Sequence, residues 1–363
     1  MRAFGILLCA AAMLFSASPA GAAEIVWHDA ASLPLYGKAC PDTPSRYERL
    51  PEFPGDSLRP ELRRLGRTST GLYLRFRTDS PSIHIRWTSA GPRWMPHMAP
   101  VGTRGLDLYI HTPDGWKHAG SAKPSAPDKA ESTCSVVTSM NPCLRECMLY
   151  LSLYDGVTAL EIGLEQGRLL LPPLLDSPSS ERKMVFYGTS ILQGGCASRP
   201  GTAFTSRLSR RFDMEAINLG FSGNAFLDLE IARLMASVEN PAVFVLDYVP
   251  NAWPYMIEER GEEFFRILRD SHPDVPVVFV EDPSFPPALF NTEMAKEISD
   301  KNKAQRSLYE RLRKSGEKRL YYISSESLIG NEDTVDGIHP TDLGMDAYFR
   351  AYEKVLAKVL RRR

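Results

Sequence analysis

Five stretches of the chain carry residue types that could do chemistry together. An apolar run ends in Gly188-Thr189-Ser190 and is followed by Gly194-Gly195; Gly223 lies in "NLGFSGNA", Asn251 in "DYVPNAW", and Asp336 and His339 stand three residues apart in "DGIHPTDLGM". A serine hydroxyl attacks a carbonyl only when a base takes its proton, and an imidazole base needs a carboxylate to fix its tautomer. Backbone N–H groups and a side-chain amide can meet the negative charge that then develops. Taken singly, each piece has a plainer reading. A serine after a strand is commonly a helix N-cap, an Asp-x-x-His-Pro run a helix-entry turn, and an Asn at that place an Asx turn. Read together they supply a nucleophile in Ser190, a base in His339, a carboxylate in Asp336, and oxyanion donors in the N–H groups of Ser190 and Gly223 and the amide of Asn251. Histidine usage narrows the base further, because from Lys183 onward the chain has only His272 and His339. His272 precedes a strand candidate, which puts it on the far edge of a sheet.

For these residues to meet, the elements around them must put every one at the same sheet edge. After Lys183 short apolar runs (Met184–Tyr187, Ala216–Leu219, Ala242–Leu246, Val275–Val280, Leu320–Ile323) alternate with amphipathic segments near Thr202–Arg211, Asp228–Ser237, Glu258–Arg269, Asp300–Lys314 and Leu343–Val359. Strict alternation predicts a parallel sheet covered by helices on both faces, with the ligand crevice beyond the C-terminal strand ends. Ser190, Gly223, Asn251 and the Asp336–His339 pair all follow strand candidates. The first half reads differently, with period-2 runs such as "GLYLRFRT", "SIHIRW", "GLDLYIHT", "CMLYLSLY" and "ALEIGL". This predicts an all-β sandwich, with a hairpin at the Pro-Asp-Gly of "HTPDGWKH". The Pro- and Ser-rich "LLPPLLDSPSSERK" marks the boundary, giving a β-domain over 24–175 and an α/β domain over 182–363.

The spacing is not that of the Gly-x-Ser-x-Gly elbow, since the next glycine follows Ser190 by four residues. The ordered blocks Gly188-x-Ser190, Gly223, Asn251 and Asp336-x-x-His339 resemble those of the SGNH (GDSL-type) hydrolases. Thr189 stands where that family has Asp, and "D-x-x-P-N" replaces its Gly-x-Asn-Asp. The first half, with "GLDLY" at Gly105 to Tyr109, is similar to the β-rich N-terminal domain of one bacterial branch, in which phrases like "NLGFSGN" and "HPTDLG" also occur. The resemblance implies a flavodoxin-like three-layer α/β/α domain behind a jelly-roll-like sandwich, and a serine esterase that needs no metal or organic cofactor. It favours a short acyl group, such as acetyl, on a small-molecule or polysaccharide carrier, with a lipid ester or a catalytically silent glycan-binding protein as alternatives. Trp253 beside Asn251, and Trp94 in the loop that also holds His97, are the candidate substrate contacts, and either could equally be packing.

Composition bounds the partners. Lys and Arg number 43 against 44 Asp and Glu, a net charge of -1, and no basic stripe stands out, so nucleic-acid binding is not expected. A phosphate cradle at "GTSILQGG" would leave Asp336, His339 and Asn251 without a role. The start of the chain, Met1-Arg2 and then "FGILLCAAAMLF" before small residues up to "SPAGAA", reads as a signal segment over 1–23 for a secreted or periplasmic protein. It is too short for a membrane span. Export would favour disulfides among Cys134, Cys143 and Cys147, with at least one of the five remaining cysteines left free or paired between chains. Cys143-x-x-x-Cys147 has no histidine nearby, which argues against zinc at that pair.

Overall fold

The structure, a computed structural model, describes residues 23–91 and 94–361; all but the last residue of the expected signal segment lies outside them. Among the described residues the first half forms ten strands: β1 (Ile25–Asp29), β2 (Leu35–Tyr36), β3 (Tyr73–Thr78), β4 (Ile83–Ser89), β5 (Leu106–Thr112), β6 (Gly115–Ala122), β7 (Glu131–Val137), β8 (Arg145–Tyr150), β9 (Val157–Glu165) and β10 (Leu170–Leu171). They build two antiparallel sheets, β1-β9-β4-β7 and β10-β3-β8-β5-β6, with β2 paired to β3. Two short helices, α1 (Pro60–Gly66) and α2 (Pro100–Arg104), interrupt them. The hairpin forms where Pro113-Asp114-Gly115 predicts it: β5 pairs with β6 from Thr112–Gly115 upward, and Gly115 takes φ +87°.

Period-2 alternation decides what each strand of the larger sheet touches. Leu74, Phe76, Leu106, Leu108 and Leu149 face Ile83, Ile85, Trp87, Leu160 and Ile162 of the other sheet and form the sandwich core. The alternate residues Tyr73, Tyr109, Met148 and Tyr150 form a second, aromatic face. A sheet face left in water would be polar. This one is buried, because the α/β half docks on it.

That half is a five-stranded parallel sheet of β11 (Ser180–Gly188), β12 (Met214–Gly220), β13 (Pro241–Asp247), β14 (Val277–Val280) and β15 (Leu320–Ile323), in the order β12-β11-β13-β14-β15. This is the flavodoxin-like order, whose direction reverses beside the first strand and opens a crevice there. The helices are α3 (Ser190–Gln193), α4 (Phe204–Phe212), α5 (Leu229–Ala236), α6 (Pro254–Ser271), α7 (Thr292–Lys314) and α8 (Asp342–Arg361). Along β11, Val185 and Tyr187 pack against α5, α6 and α7, while Met184 and Phe186 pack against α4 and α8. The fold is therefore the three-layer α/β/α unit behind a β-sandwich. The helix α7 begins two turns earlier than its periodicity indicates, because the Asn291 side chain accepts from Met294 N and caps it.

The two halves share cores. Leu50, Leu58, Leu62 and Leu65, from the first half, lie in the cluster under α5 and α6, and Met98, Leu153 and Tyr154 lie in the cluster under α4 and α8. At the centre of the seam sits Arg49, 1% exposed. Its Nη1 donates to the carbonyls of Asn218 and Gly220 at 2.9 Å each, Nη2 to Leu65 O and Thr68 Oγ1, and Nε to Thr68 O. All five guanidinium N–H groups are thus used, and the ring of Phe221 lies 5.0 Å away. Burial pushes Arg49 down to about 9, which leaves it a cation at neutral pH.

The disulfides expected among Cys134, Cys143 and Cys147 are not formed; these three, Cys40 and Cys196 are free thiols. The three side chains are turned to different surroundings. Cys147 is buried in the sandwich core with its Sγ toward Arg145 O, whereas Cys134 sits on β7 of the opposite sheet and points at backbone carbonyls of Ser121 and Ser135. Cys143 is exposed in the loop before β8.

Removing Arg49 should unsatisfy carbonyls of both halves at once. Arg49→Met is expected to lower the unfolding free energy by about 3 kcal/mol and Arg49→Lys by less, read from denaturant melts. A loss below about 1 kcal/mol for the Met variant would show that water takes over those acceptors.

Candidate active site

Ser190 is the first residue of α3 and is 8% exposed. The helix cap is not Ser190 but Thr189, whose Oγ1 accepts from Ile191 N at 3.3 Å. A β-branched hydroxyl residue does the capping, and the serine is left for other work. The N–H of Ser190 is among the donors that a helix N-terminus leaves without intrahelical partners. Gly188 is required by close approach, since a Cβ there would run into the Asp247 carbonyl of β13.

His339 reaches Ser190 from the loop before α8. Its Nε2 lies 2.9 Å from Ser190 Oγ and its Nδ1 2.8 Å from Asp336 Oδ2. The short spacing of Asp336 and His339 works because the loop is a tight turn. Asp336 Oδ1 accepts from Ile338 N and His339 N, Val335 N donates to His339 O, and Gly337 takes φ +90°. Burial pushes the Asp336 carboxyl up, but the backbone and ring hydrogen bonds of His339, its charge and the Ile338 N–H outweigh this and hold it at about 2. The carboxylate is therefore ionised throughout the neutral range. With Nδ1–H held by a carboxylate, Nε2 is free to accept the serine proton.

Further contacts fix the serine helix and the loops around it. Asp342, at the start of α8, accepts from Ser198 N at 2.9 Å and from Ser198 Oγ, tying the loop after α3 to the one that carries His339. Tyr154 Oη donates to Ser190 O at 3.0 Å. Gln193 donates from Nε2 to Leu153 O and accepts at Oε1 from Ser222 N, which fixes the Phe221–Asn224 turn. Gly223 lies in that turn at φ +67°, with no atom within 4 Å of where a Cβ would stand. Asn251 joins it from the end of β13: its Oδ1 accepts from Ala225 N at 3.3 Å, which leaves Nδ2 as the available donor.

The "GLDLY" motif acts at the seam. Leu106 and Leu108 point into the sandwich, and Asp107 and Tyr109 point the other way. The Asp107 carboxylate takes Arg199 Nη1 at 2.6 Å, Gly201 N at 2.8 Å and Ser121 Oγ at 2.5 Å, with His118 Nε2 at 3.2 Å. Burial would raise this acid, yet the His118, Arg199 and Ser121 partners lower it. Tyr109 Oη accepts from Arg199 at 2.7 Å, and a Cβ on Gly201 would strike the Tyr109 ring. The β-half thereby grips the segment that follows the serine helix.

The structure brings Ser190, His339 and Asp336 into one hydrogen-bonded chain, with Gly223 and Asn251 joined through the 221–225 turn. His272 sits at the end of α6 with Nε2 on Ala236 O, away from that edge. Trp253 is 47% exposed beside Asn251, with Lys301 Nζ 4.9 Å from its ring centre, so packing and exposure share it. Trp94 is 63% exposed in the loop before α2, with no hydrogen bond or ring contact to Ser190, His339 or Asp336 among the described residues. Its neighbour His97 does reach the site: its ring centre is 5.4 Å from that of His339, at an interplanar angle of 37°. Sequence reasoning placed His97 only as a sugar face and Cys196 only as a disulfide candidate, and it passed over Gln193 and Arg49, whose side-chain partners lie 16 to 171 residues away.

Residues 181–357 match the model of the GDSL-like lipase/acylhydrolase family, and residues 25–170 match the N-terminal GxDLY domain found with SGNH-hydrolase-type esterases. A crystal structure described as a GDSL-like lipase from Bacteroides ovatus is 34% identical over 93% of this chain and 98% of its own, with a TM-score of 0.88. The salicylyl-acyltransferase of a tetracycline biosynthetic pathway has the same fold at 20% identity, a TM-score of 0.66, and coverage of 95% and 97%. A family two carbohydrate esterase from Cellvibrio japonicus has it at 16% identity and a TM-score of 0.55, over 80% of this chain and 89% of its own. No protein of curated function matches the sequence.

The low value of Asp336 has a pH signature. A carboxyl held at about 2 against an ordinary 3.8 stabilises the fold above the ordinary value, and that contribution is lost as pH falls toward 2. Asp336→Asn should therefore melt below wild type at pH 6, with the gap closing below about pH 3. A gap that persists at acid pH would mean that the side chain acts by packing and not by charge.

Proposed function

The chain belongs to the GDSL-like lipase/acylhydrolase family, and on that premise we propose that this carboxylic ester hydrolase works through an acyl-enzyme on Ser190. The observation that carries the proposal is the continuous chain from Ser190 Oγ through the His339 ring to Asp336, at 2.9 and 2.8 Å. His339 takes the serine proton as Oγ attacks the ester carbonyl, and returns it to the leaving alcohol. Asp336 keeps the imidazole in the Nδ1–H tautomer and stabilises its cation. The N–H groups of Ser190 and Gly223 and the Asn251 amide meet the oxyanion. A water then enters, activated by the same histidine, and releases the acid. A silent binding protein has no need of all three groups in hydrogen-bonded order.

The substrate is an ester of a short acyl group, acetyl for preference, on a carbohydrate. Two exposed tryptophans support this: Trp253 beside the oxyanion amide and Trp94 on the β-half loop offer flat apolar faces of the kind that sugar rings stack on. None of the described helices is long and apolar enough to cross a membrane, and the N-terminal pattern of charge, apolar run and small residues supports export.

Ser190→Ala should abolish hydrolysis of a small chromogenic acetyl ester while the melting temperature stays near wild type. Were Ser190 structural only, the activity would survive.

Asn251→Ala should lower kcat by about 10²–10³ with KM nearly unchanged, because an amide aimed at the oxyanion binds more strongly as charge develops. A destabilised variant with wild-type kcat would remove Asn251 from the site.

A further inference from the structure

Beside the Ser190–His339 pair stands a second group of side chains. His97 from the β-half, Cys196 from the loop after α3, and His339 from the loop before α8 each offer one metal-ligating atom, and these atoms all lie within 4.8 Å of one another. A tetrahedral zinc ion with Zn–N about 2.0–2.1 Å and Zn–S about 2.3 Å holds such atoms about 3.3–3.6 Å apart. The donors thus need to close by roughly an ångström, which side-chain rotation supplies at a half-buried His97.

Several features suit the cluster to a cation. Two imidazoles and a thiol are a donor set for borderline-soft divalent ions and a poor one for Mg²⁺ or Ca²⁺. Cys196 is buried and its thiol has no hydrogen bond among the described residues, while Cys40, Cys134 and Cys147 each donate to a carbonyl. The ring of His339 donates from Nδ1 to Asp336, the carboxylate–histidine arrangement that orients metal-bound imidazoles. The loop that carries His97 is also fixed in place. A Cβ on Gly102 would run into the Ala197 carbonyl, so the 95–104 segment lies directly on the Cys196 loop. The rings of His97 and His339 already stand 5.4 Å apart.

We infer that His97, Cys196 and His339 form a binding site for a soft divalent cation such as Zn²⁺, and that filling it switches hydrolysis off by taking the His339 Nε2 lone pair away from Ser190. The Cys196 thiol gives its proton to solvent as the Zn–S bond forms. No oxidant or reductant is involved. Water or Ser190 Oγ completes the fourth position. The binding stands on the donor set alone, whereas the switching rests on the proposed role of His339 as base.

The test uses the full mature chain and Co²⁺ as a spectroscopic stand-in for Zn²⁺. Wild type and Ser190→Ala should both develop a thiolate-to-cobalt charge-transfer band at about one equivalent, displaced by Zn²⁺. Cys196→Ser and His97→Ala should lose that band or need more than about tenfold more metal, with melts showing that both are folded. In parallel, Zn²⁺ should depress wild-type acetyl-ester hydrolysis more than about tenfold with recovery on chelation, and Cys196→Ser should need more than about tenfold more Zn²⁺ for the same loss. A band that survives in Cys196→Ser overturns the site. Binding without inhibition, or a rise in activity with Zn²⁺, overturns the switch and leaves the site standing. If Ser190→Ala keeps its esterase activity, the catalytic reading fails, and the cobalt band still decides the binding.

Discussion

A buried cation with no carboxylate beside it holds this molecule together. Arg49 sits 1% exposed between the two halves, and its N–H groups end on oxygens of Leu65, Thr68, Asn218 and Gly220. A guanidinium taken out of water without a carboxylate beside it costs least when every donor is used. That condition fixes the segment around Leu65–Thr68 against the C-terminal end of β12. The Phe221–Asn224 turn begins one residue later, so the position of Gly223 depends on a residue in the other half of the chain. The buried leucines of α1 and the packing of Gly71 against Asn218 make the same junction dry.

The sandwich therefore does more than sit beside the α/β unit. Its larger sheet is apolar on both faces, one for its own core and one for α4, where Tyr150 Oη donates to Ser206 O and the Arg210 guanidinium lies 4.2 Å from the Tyr109 ring centre. Asp107 and Tyr109 add directional bonds to Arg199 and Gly201. Two of the loops at the site are consequently gripped from outside: the one after α3 by β5, and the one carrying His339 through Ser198 and Asp342. Such preorganisation matters because a serine–imidazole contact that is loose by an ångström loses much of its catalytic worth.

Below the crevice the sheet carries acids of another kind. Burial pushes Asp247, at the end of β13, up to about 8, and the charge of Asp282 adds to the rise, while Tyr352 Oη donates to it at 2.7 Å and lowers it. This acid ties α8 to the sheet as a neutral group. Asp336 is the opposite case, a half-exposed carboxylate saturated with donors and fully charged. The α/β half thus holds one carboxyl as a structural hydrogen-bonding group and the other as a charge, and the difference comes from solvent and donors and not from residue type.

The sequence by itself determined the strand–helix alternation after Lys183, the sandwich-then-α/β arrangement, and the shortlist of reactive side chains. Those features are local, since apolar periodicity is written into consecutive residues and His339 is singled out by the scarcity of histidines after Lys183. Only the tertiary structure decided that Thr189 and not Ser190 caps α3, that the polar alternates of "GLDLY" face a buried docking surface, that the expected disulfides are not formed, and that His97 and Cys196 stand beside His339. Each of these joins residues by where the chain returns in space, at separations as wide as the 242 between His97 and His339. Local propensity and composition carry no signal for such meetings. They are set by which faces remain unburied once every element has formed.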